Sequence, residues 1–330
     1  MPEPTPQRKR SRKRAVADRP LIPIEVELTG FASGGKAVGH APDGRVVFVE
    51  YGIPGERVVA EVTDAHTGYL EATAVQVLRA SPHRVTAPCQ YFGKCGGCQV
   101  QHIDYAEQLR LKTEVVRDQL MRIGRFDAAS VQETVRPMLG MDEPWAYRNH
   151  VRFTARRDGD VGFMQRGTHR FMRIDRCPIS TPQVNAVLDA AQGRIMQARQ
   201  LTVRVGEHTD EMMVQPRLQF RPGRRPSGAG RITSGQTSYH ESLLGTRYRI
   251  SGPAFFQVNT RQAERLVALV VERVREVSPR VVIDAYAGVG TFAAQLAPAV
   301  EHVVTIEESA AAGDDAEVNL ASFSNVMRVV

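Results

Sequence analysis

The sequence predicts a multidomain α/β protein: an N-terminal OB-type β-barrel, a central antiparallel α+β domain, and part of a Rossmann-like, doubly wound parallel sheet. Three observations carry this expectation. Residues 22–80 alternate apolar and polar positions in short runs broken by glycine turns. Residues from about 135 to 250 hold strand patterns around an Asp158-Gly159 hairpin turn. Beyond residue 250 a helical pattern is followed by an apolar run, a glycine turn and a second strand–helix–strand pattern.

In the first segment, Ile24–Leu28 alternates cleanly and Gly30 to Gly39 is a small-residue loop. Val46–Val49 follows the Asp43-Gly44 turn, Arg57–Val62 follows Gly52-Ile-Pro-Gly-Glu56, and Tyr69–Leu78 completes the set. About five strands in so short a stretch suit a small closed barrel. Residues 1–21 differ in kind. Arg8 to Arg14 places six basic residues in seven between prolines, which cannot bury a core and predicts a disordered tail.

The chain has four cysteines. Cys89, Cys95 and Cys98 fall within ten residues, while Cys177 stands far downstream and precedes Pro178. Structural zinc sites usually draw on two close pairs, so a lone distant fourth ligand fits them poorly. Three clustered thiols and a remote Cys-Pro come closer to a [4Fe–4S] ligand set. Gly93, Gly96 and Gly97 would let the backbone wrap the sulfurs. Zinc, buried free thiols and disulfides are the alternatives, the last rare inside cells. The cluster reading leads, and it would fasten the segment after the barrel to the central domain.

Hydrophobic content of 42% with 24% charged residues is that of an ordinary globular chain. No apolar run is long enough to span a bilayer, and the basic start lacks the apolar stretch of a signal peptide. A cytoplasmic protein with no membrane association and no obligate protein partner is expected, acting as a monomer. The formal net charge of +7 favours polyanionic partners. A second basic stretch holds Arg217, Arg221, Arg224, Arg225 and Arg231, whereas Glu301 to Glu317 is acidic.

Asp104-Tyr-Ala-Glu107 is a capping-box pattern opening a helix over 104–124, expected to pack on the catalytic domain. Farther on, Asn259 caps a helix whose apolar face holds Leu266, Val270 and Val274. The strand Val281–Asp284 leads into Gly288-Val-Gly290, and a strand over His302–Ile306 ends at Glu307. A helix over 311–323 and a strand from Val326 to Val330 follow. Glycines after a strand bring backbone amides close to a ligand, and Glu307 can accept from ribose hydroxyls. Pattern alone leaves both a nucleotide and S-adenosylmethionine open. Asp284, placed to attract a cationic amino-acid group, tips the reading to S-adenosylmethionine.

Gly34-Gly35-Lys36-Ala-Val-Gly39 and Pro54-Gly55-Glu56 resemble the TRAM domain, an RNA-binding barrel. Taken in order, that barrel, Cys-x5-Cys-x2-Cys, Cys177-Pro-Ile, Phe255-Phe-Gln-Val-Asn259 and Asp284-Ala-Tyr-Ala-Gly-Val-Gly290 resemble the RNA uracil-C5 methyltransferase family. The likeness is nearest to the iron–sulfur members that modify 23S ribosomal RNA. It implies that Cys89, Cys95, Cys98 and Cys177 bind [4Fe–4S], and that Gln257, Tyr286 and Glu307 contact S-adenosylmethionine above the Gly288/Gly290 turn. It divides the chain into a tail (1–21), barrel (22–80), iron–sulfur domain (81–250) and half a methyltransferase domain (251–330). The family places its nucleophilic cysteine and general base after the third strand of this sheet. Neither is present here, so a C-terminally truncated chain, inactive alone and short by on the order of 100 residues, is expected. A non-catalytic RNA-binding iron–sulfur protein is the alternative. A radical S-adenosylmethionine enzyme is disfavoured because a fourth cysteine is available to close the site.

Overall fold

The computed structural model describes residues 23–196, 198–222 and 232–329; the tail over 1–21 and Arg224, Arg225 and Arg231 lie outside them. The chain forms two compact units. One holds the residues up to Ala87 together with Cys98–Leu139, the other Pro88–Gly97 together with Gly140–Val330.

In the first unit five strands close into a barrel: β1 (Ile24–Ala32), β2 (Lys36–His40), β3 (Val46–Glu50), β4 (Arg57–Ala65) and β5 (Tyr69–Arg79). The order is β1-β2-β3-β5-β4, antiparallel except between β3 and β5. The period-two alternation sends Val26, Leu28, Val47, Val49, Val58 and Ala60 inward, where all are buried. At Gly39 a side chain has no room, since a Cβ would sit 2.5 Å from the Glu27 carbonyl oxygen across the β1–β2 pair.

The acidic residue of Pro54-Gly55-Glu56 is wholly buried. Its carboxylate accepts from the Ile53 N–H at 3.0 Å, the Ser81 N–H at 3.1 Å and the Arg84 guanidinium at 2.6 Å on each oxygen. Glu56 therefore ties the β3–β4 connection to the chain leaving the barrel.

Helix α1 (Tyr105–Arg122) starts where the capping box places it, with Asp104 accepting from the Glu107 N–H at 2.9 Å. A short helix α2 (Ala128–Thr134) follows. The sequence-based domain bounds put this region with the iron–sulfur domain. In the structure it groups with the barrel, because Leu111 of α1 joins Ile53 and Ile103 in one small core. Periodicity shows that a helix has an apolar face but not which neighbour covers it.

The second unit begins with an antiparallel sheet. Its elements are β6 (His150–Ala155), β7 (Val161–Met164), β8 (Phe171–Arg173), α3 (Pro182–Ala191), β9 (Ile195–Met196), β10 (Gln200–Val205), β11 (Met212–Gln215) and β12 (Gln219–Phe220). The sheet order is β11-β10-β6-β7-β8, while β9 and β12 pair separately. Asp158-Gly159 is the expected hairpin turn between β6 and β7. Val151, Phe153, Leu201 and Val203 fill one core with Val184 and Leu188 of α3.

A hairpin of β13 (Ser238–Leu243) and β14 (Thr246–Ser251) precedes α4 (Thr260–Val277), β15 (Val281–Asp284), α5 (Thr291–Leu296), β16 (His302–Ile306), α6 (Ala310–Leu320) and β17 (Val326–Val329). Strands β15, β16 and β17 form the expected parallel sheet. The hairpin does not belong with the central sheet, as a boundary at 250 would require. Tyr239, Leu243, Tyr248 and Ile250 share a core with Phe256, Val267, Val303 and Leu320. Buried Asp315 of α6 fixes this arrangement, accepting from the Ser251 N–H at 2.6 Å and from Arg249. On the parallel sheet Val303 is fully buried, but on the opposite face Val281, Ile283, Ile306, Met327 and Val329 are exposed among the described residues. Parallel sheets are ordinarily covered on both faces.

Burial raises the Glu56 carboxyl pKa, but Arg84 and the two backbone donors outweigh it and hold it below the usual value. A lowered folded-state pKa contributes stability above the unfolded value and loses it as pH falls through the folded one. Glu56→Gln should lower the unfolding free energy by roughly 3 kcal/mol at pH 7, by leaving Arg84 without its countercharge. Chemical denaturation at pH 7 and again below pH 4 should show the difference from wild type shrinking on acidification.

Candidate functional site

The chain from Ala254 to Thr260 links the hairpin to α4, and it carries Gln257. Three buried polar side chains hold it. Asn149, just before β6, donates from its backbone N–H to the Val258 carbonyl at 3.0 Å. Its amide donates to the Gln257 carbonyl at 3.2 Å and to the Thr260 hydroxyl at 2.9 Å. Thr260 in turn donates to the Glu241 carboxylate at 2.8 Å, which also accepts from the Glu207 and His208 N–H groups. Glu241 and Thr260 are fully buried and Asn149 nearly so. No local sequence signal marks Asn149 as the clamp on a loop a hundred residues away.

Gln257 lines a small cavity of about 80 Å³ with Phe255, Tyr286, Gly288 and Phe292. The structure thus brings Gln257, Tyr286 and Gly288 together. Tyr286 is 93% exposed, so its ring is not a core element. Gly288 and Gly290 adopt φ of +54° and +85°, conformations that favour glycine. Gly290 also faces α6 closely: a Cβ would sit 2.9 Å from Leu320, so this glycine is needed for packing whatever the turn binds.

Glu307 lies at the end of β16 and reaches back to the turn. One carboxylate oxygen accepts from the Gly288 N–H at 2.8 Å, the other from the Ser309 N–H at 2.8 Å. It therefore shapes the glycine turn directly. Asp284, at the end of β15, accepts from the N–H groups of Tyr286 and Ala293, while its Oδ2 is buried with no hydrogen-bond partner among the described residues. Burial pushes the Asp284 carboxyl up, and the nearby Glu307 charge adds to this against the two backbone donors. A buried, half-satisfied carboxylate is suited to a cationic group.

The cysteine loop belongs mostly to the second unit. Cys95 bridges to Gln165 and the Lys94 carbonyl accepts from the Arg166 N–H at 2.9 Å, docking the loop on the β7–β8 connection. Tyr91 fastens it to the chain before Cys177: its hydroxyl accepts from the Asp175 N–H at 3.0 Å and donates to the Asp175 carboxylate at 3.2 Å. Asn185 then holds the Cys177 backbone through both its N–H and its carbonyl. Burial pushes the Cys95 thiol up; the Gly97 N–H lowers it, and the Cys177 and Cys89 charges raise it further. Cys89, Cys95 and Cys177 are therefore near enough to interact, and a backbone donor already faces one sulfur. Cys98 belongs to the first unit. None of the four is in a disulfide, and among the described residues no three His, Cys, Asp or Glu side chains are arranged to hold a metal ion. His102 packs edge-on against Tyr51 in the first unit, and burial takes its pKa down to about 4. No described helix is long and apolar enough to cross a membrane.

The TRAM domain family matches residues 23–75. An RNA methyltransferase of Streptomyces coelicolor is 33% identical over 97% of this chain and 78% of its own length. One of Halalkalibacterium halodurans is 31% identical over 93% of this chain and 77% of its own length. The fold is similar to that of the Pyrococcus abyssi tRNA (uracil-54, C5)-methyltransferase, solved with S-adenosyl-L-homocysteine. That likeness has a TM-score of 0.64 at 22% identity and covers 93% of this chain and 79% of the other.

Asn149→Ala should lower the unfolding free energy by about 2 kcal/mol, since it takes the side-chain donor from the Gln257 carbonyl and from the hydroxyl of the buried Thr260–Glu241 pair. Urea denaturation measures this directly. An unchanged midpoint would mean that Asn149 does not clamp the Gln257 loop.

Proposed function

Because the chain belongs to the same RNA methyltransferase family as these relatives, we propose that it serves methyl transfer from S-adenosylmethionine to carbon 5 of a uridine in RNA, with 23S ribosomal RNA the substrate its motif order favours. The observation that carries the reading is the cavity shared by Gln257, Tyr286 and Gly288, with the unsatisfied Asp284 oxygen two residues before Tyr286 in the chain. S-adenosylmethionine supplies an activated methyl on a cationic sulfonium. Asp284 would take its ammonium group and Glu307 its ribose hydroxyls. Gln257 and Tyr286 would cover it from the open side, over the Gly288/Gly290 turn.

Carbon 5 of uracil is a weak nucleophile until a thiolate adds to carbon 6. A general base must afterwards remove the carbon 5 proton. We assign Cys89, Cys95, Cys98 and Cys177 to a [4Fe–4S] cluster, with Cys98 included on its Cys-x2-Cys spacing. No thiol of residues 1–330 is then left to attack carbon 6, so this stretch alone should not turn over.

Equilibrium dialysis with labelled S-adenosylmethionine tests the cofactor site. Glu307→Ala should weaken binding about tenfold or more by removing two charge-assisted hydrogen bonds and loosening the turn. Tritium release from carbon-5-labelled uridine in RNA tests the reaction. Residues 1–330 should release none, and turnover by them would overturn the assignment of all four thiols. Protein purified without oxygen should hold about four irons per chain, and Cys177→Ser should lose them. Stoichiometric zinc without iron would exclude the cluster.

A further inference from the structure

The polyanion site expected from the net charge does not lie in the barrel's cations. Residues 23–80 hold four Lys and Arg against eight Asp and Glu. All four cations are paired: Lys36 with Glu71, Arg45 with Asp43, Arg57 with Glu25 and Arg79 with Glu27. The charge balance reverses in the central sheet, where residues 144–200 hold ten Arg against four Asp and Glu.

Three arginines gather at the end of that sheet away from Asn149. Arg157 sits in the β6–β7 turn, and Arg199 precedes β10, with its carbonyl accepting from the Ala155 N–H at 2.9 Å. Arg221 follows β12, with its N–H donating to the Arg194 carbonyl at 2.9 Å. With Met196, Ala198 and Pro222 they line a cavity of about 580 Å³, the size of a nucleotide-binding depression. Among the described residues no acidic side chain lines it. The carboxylates nearest in sequence are engaged elsewhere, Asp158 with Arg156 and Asp160 with Arg173. Arg221 donates from one terminal nitrogen to the Arg157 carbonyl at 3.0 Å, while its Nε is buried with no partner among the described residues. Three like charges around one apolar-walled hollow repel one another unless an anion joins them. Guanidinium groups bind phosphate oxygens in a fixed two-pronged geometry.

We propose that the hollow of Arg157, Arg199 and Arg221 is a phosphate subsite that seats a backbone phosphodiester of the RNA substrate. It rests on the RNA-modifying function proposed above and lies in a different part of the second unit from the Gln257–Gly288 cavity. Such a contact positions RNA without reading its sequence.

The test measures binding of the 330-residue protein to a fluorescent single-stranded RNA across a potassium chloride series. The variant R157Q/R199Q/R221Q should lower the log–log salt slope by roughly two, as loss of three single-strand phosphate contacts requires. It should weaken binding to unrelated sequences alike. The charge-matched control R273Q/R275Q/R280Q, at the end of α4, should leave the slope near wild type. R157K/R199K keeps the charge and should retain the slope, so a folding defect is distinguishable from loss of the site. An unchanged slope in the cavity triple, or an equal fall in the control, overturns the proposal. So does inorganic phosphate binding that depends on the three arginines while the RNA slope does not, since the ligand would then be free phosphate. S-adenosylmethionine dialysis on the same variants separates the two readings: a protein that never binds the cofactor yet shows cavity-dependent RNA binding fails as a methyltransferase and keeps the subsite.

Discussion

Glu241 has no exposure to water, and it is tolerated because four donors surround it, the Thr260 hydroxyl and the backbone N–H groups of Glu207, His208 and Ser242, while the polar chain continues through Thr260 to Asn149. A buried carboxylate without such partners would take up a proton or expel its neighbours. Its network meets at a junction of three elements. Glu241 lies on β13, Asn149 abuts β6, and Thr260 begins α4. Arg204 of β10 reinforces the junction by donating to the Ala254 carbonyl at 2.7 Å. The loop bearing Gln257 is thus held from both the central sheet and the parallel-sheet half, and the position of the cavity it lines depends on that hold.

The same half shows how packing and binding share residues. Gly290 is favoured as glycine by its φ of +85° and by Leu320 lying against it, and Glu307 shapes the turn through the Gly288 N–H. Either residue could be explained by structure alone. The unsatisfied Asp284 oxygen cannot, because a buried acceptor without a donor is costly in a finished core. It is the atom of this site that structure alone leaves unexplained.

Charge is divided along the chain in a way the net value hides. The barrel pairs its few cations locally and carries an excess of acids, while the central sheet gathers arginines on its turns. Among the described residues, long-range attraction of a polyanion would therefore act chiefly on the second unit, whose parts are joined by directed contacts such as Tyr91–Asp175.

Much of the secondary structure was legible from local rules. Alternation with glycine turns marked the barrel strands, Asp104 and Asn259 marked the starts of α1 and α4, and Gly288-Val-Gly290 after Val281–Asp284 marked the first strand–turn–helix of the parallel sheet. These features depend on neighbours within a few residues, so the residue order alone determines them. The partner of each apolar face is not local. The grouping of α1 with the barrel through Leu111, the transfer of the β13–β14 hairpin to the α6 core through Asp315, and the Asn149 clamp on Gln257 each join residues dozens of positions apart. The arginine hollow is of the same kind, since Arg157, Arg199 and Arg221 have no common spacing and meet only where the chain leaving β6, the chain entering β10 and the chain leaving β12 line one cavity. Sequence determined which segments become strands and helices; tertiary packing decided which polar atoms were satisfied and which were left facing a cavity.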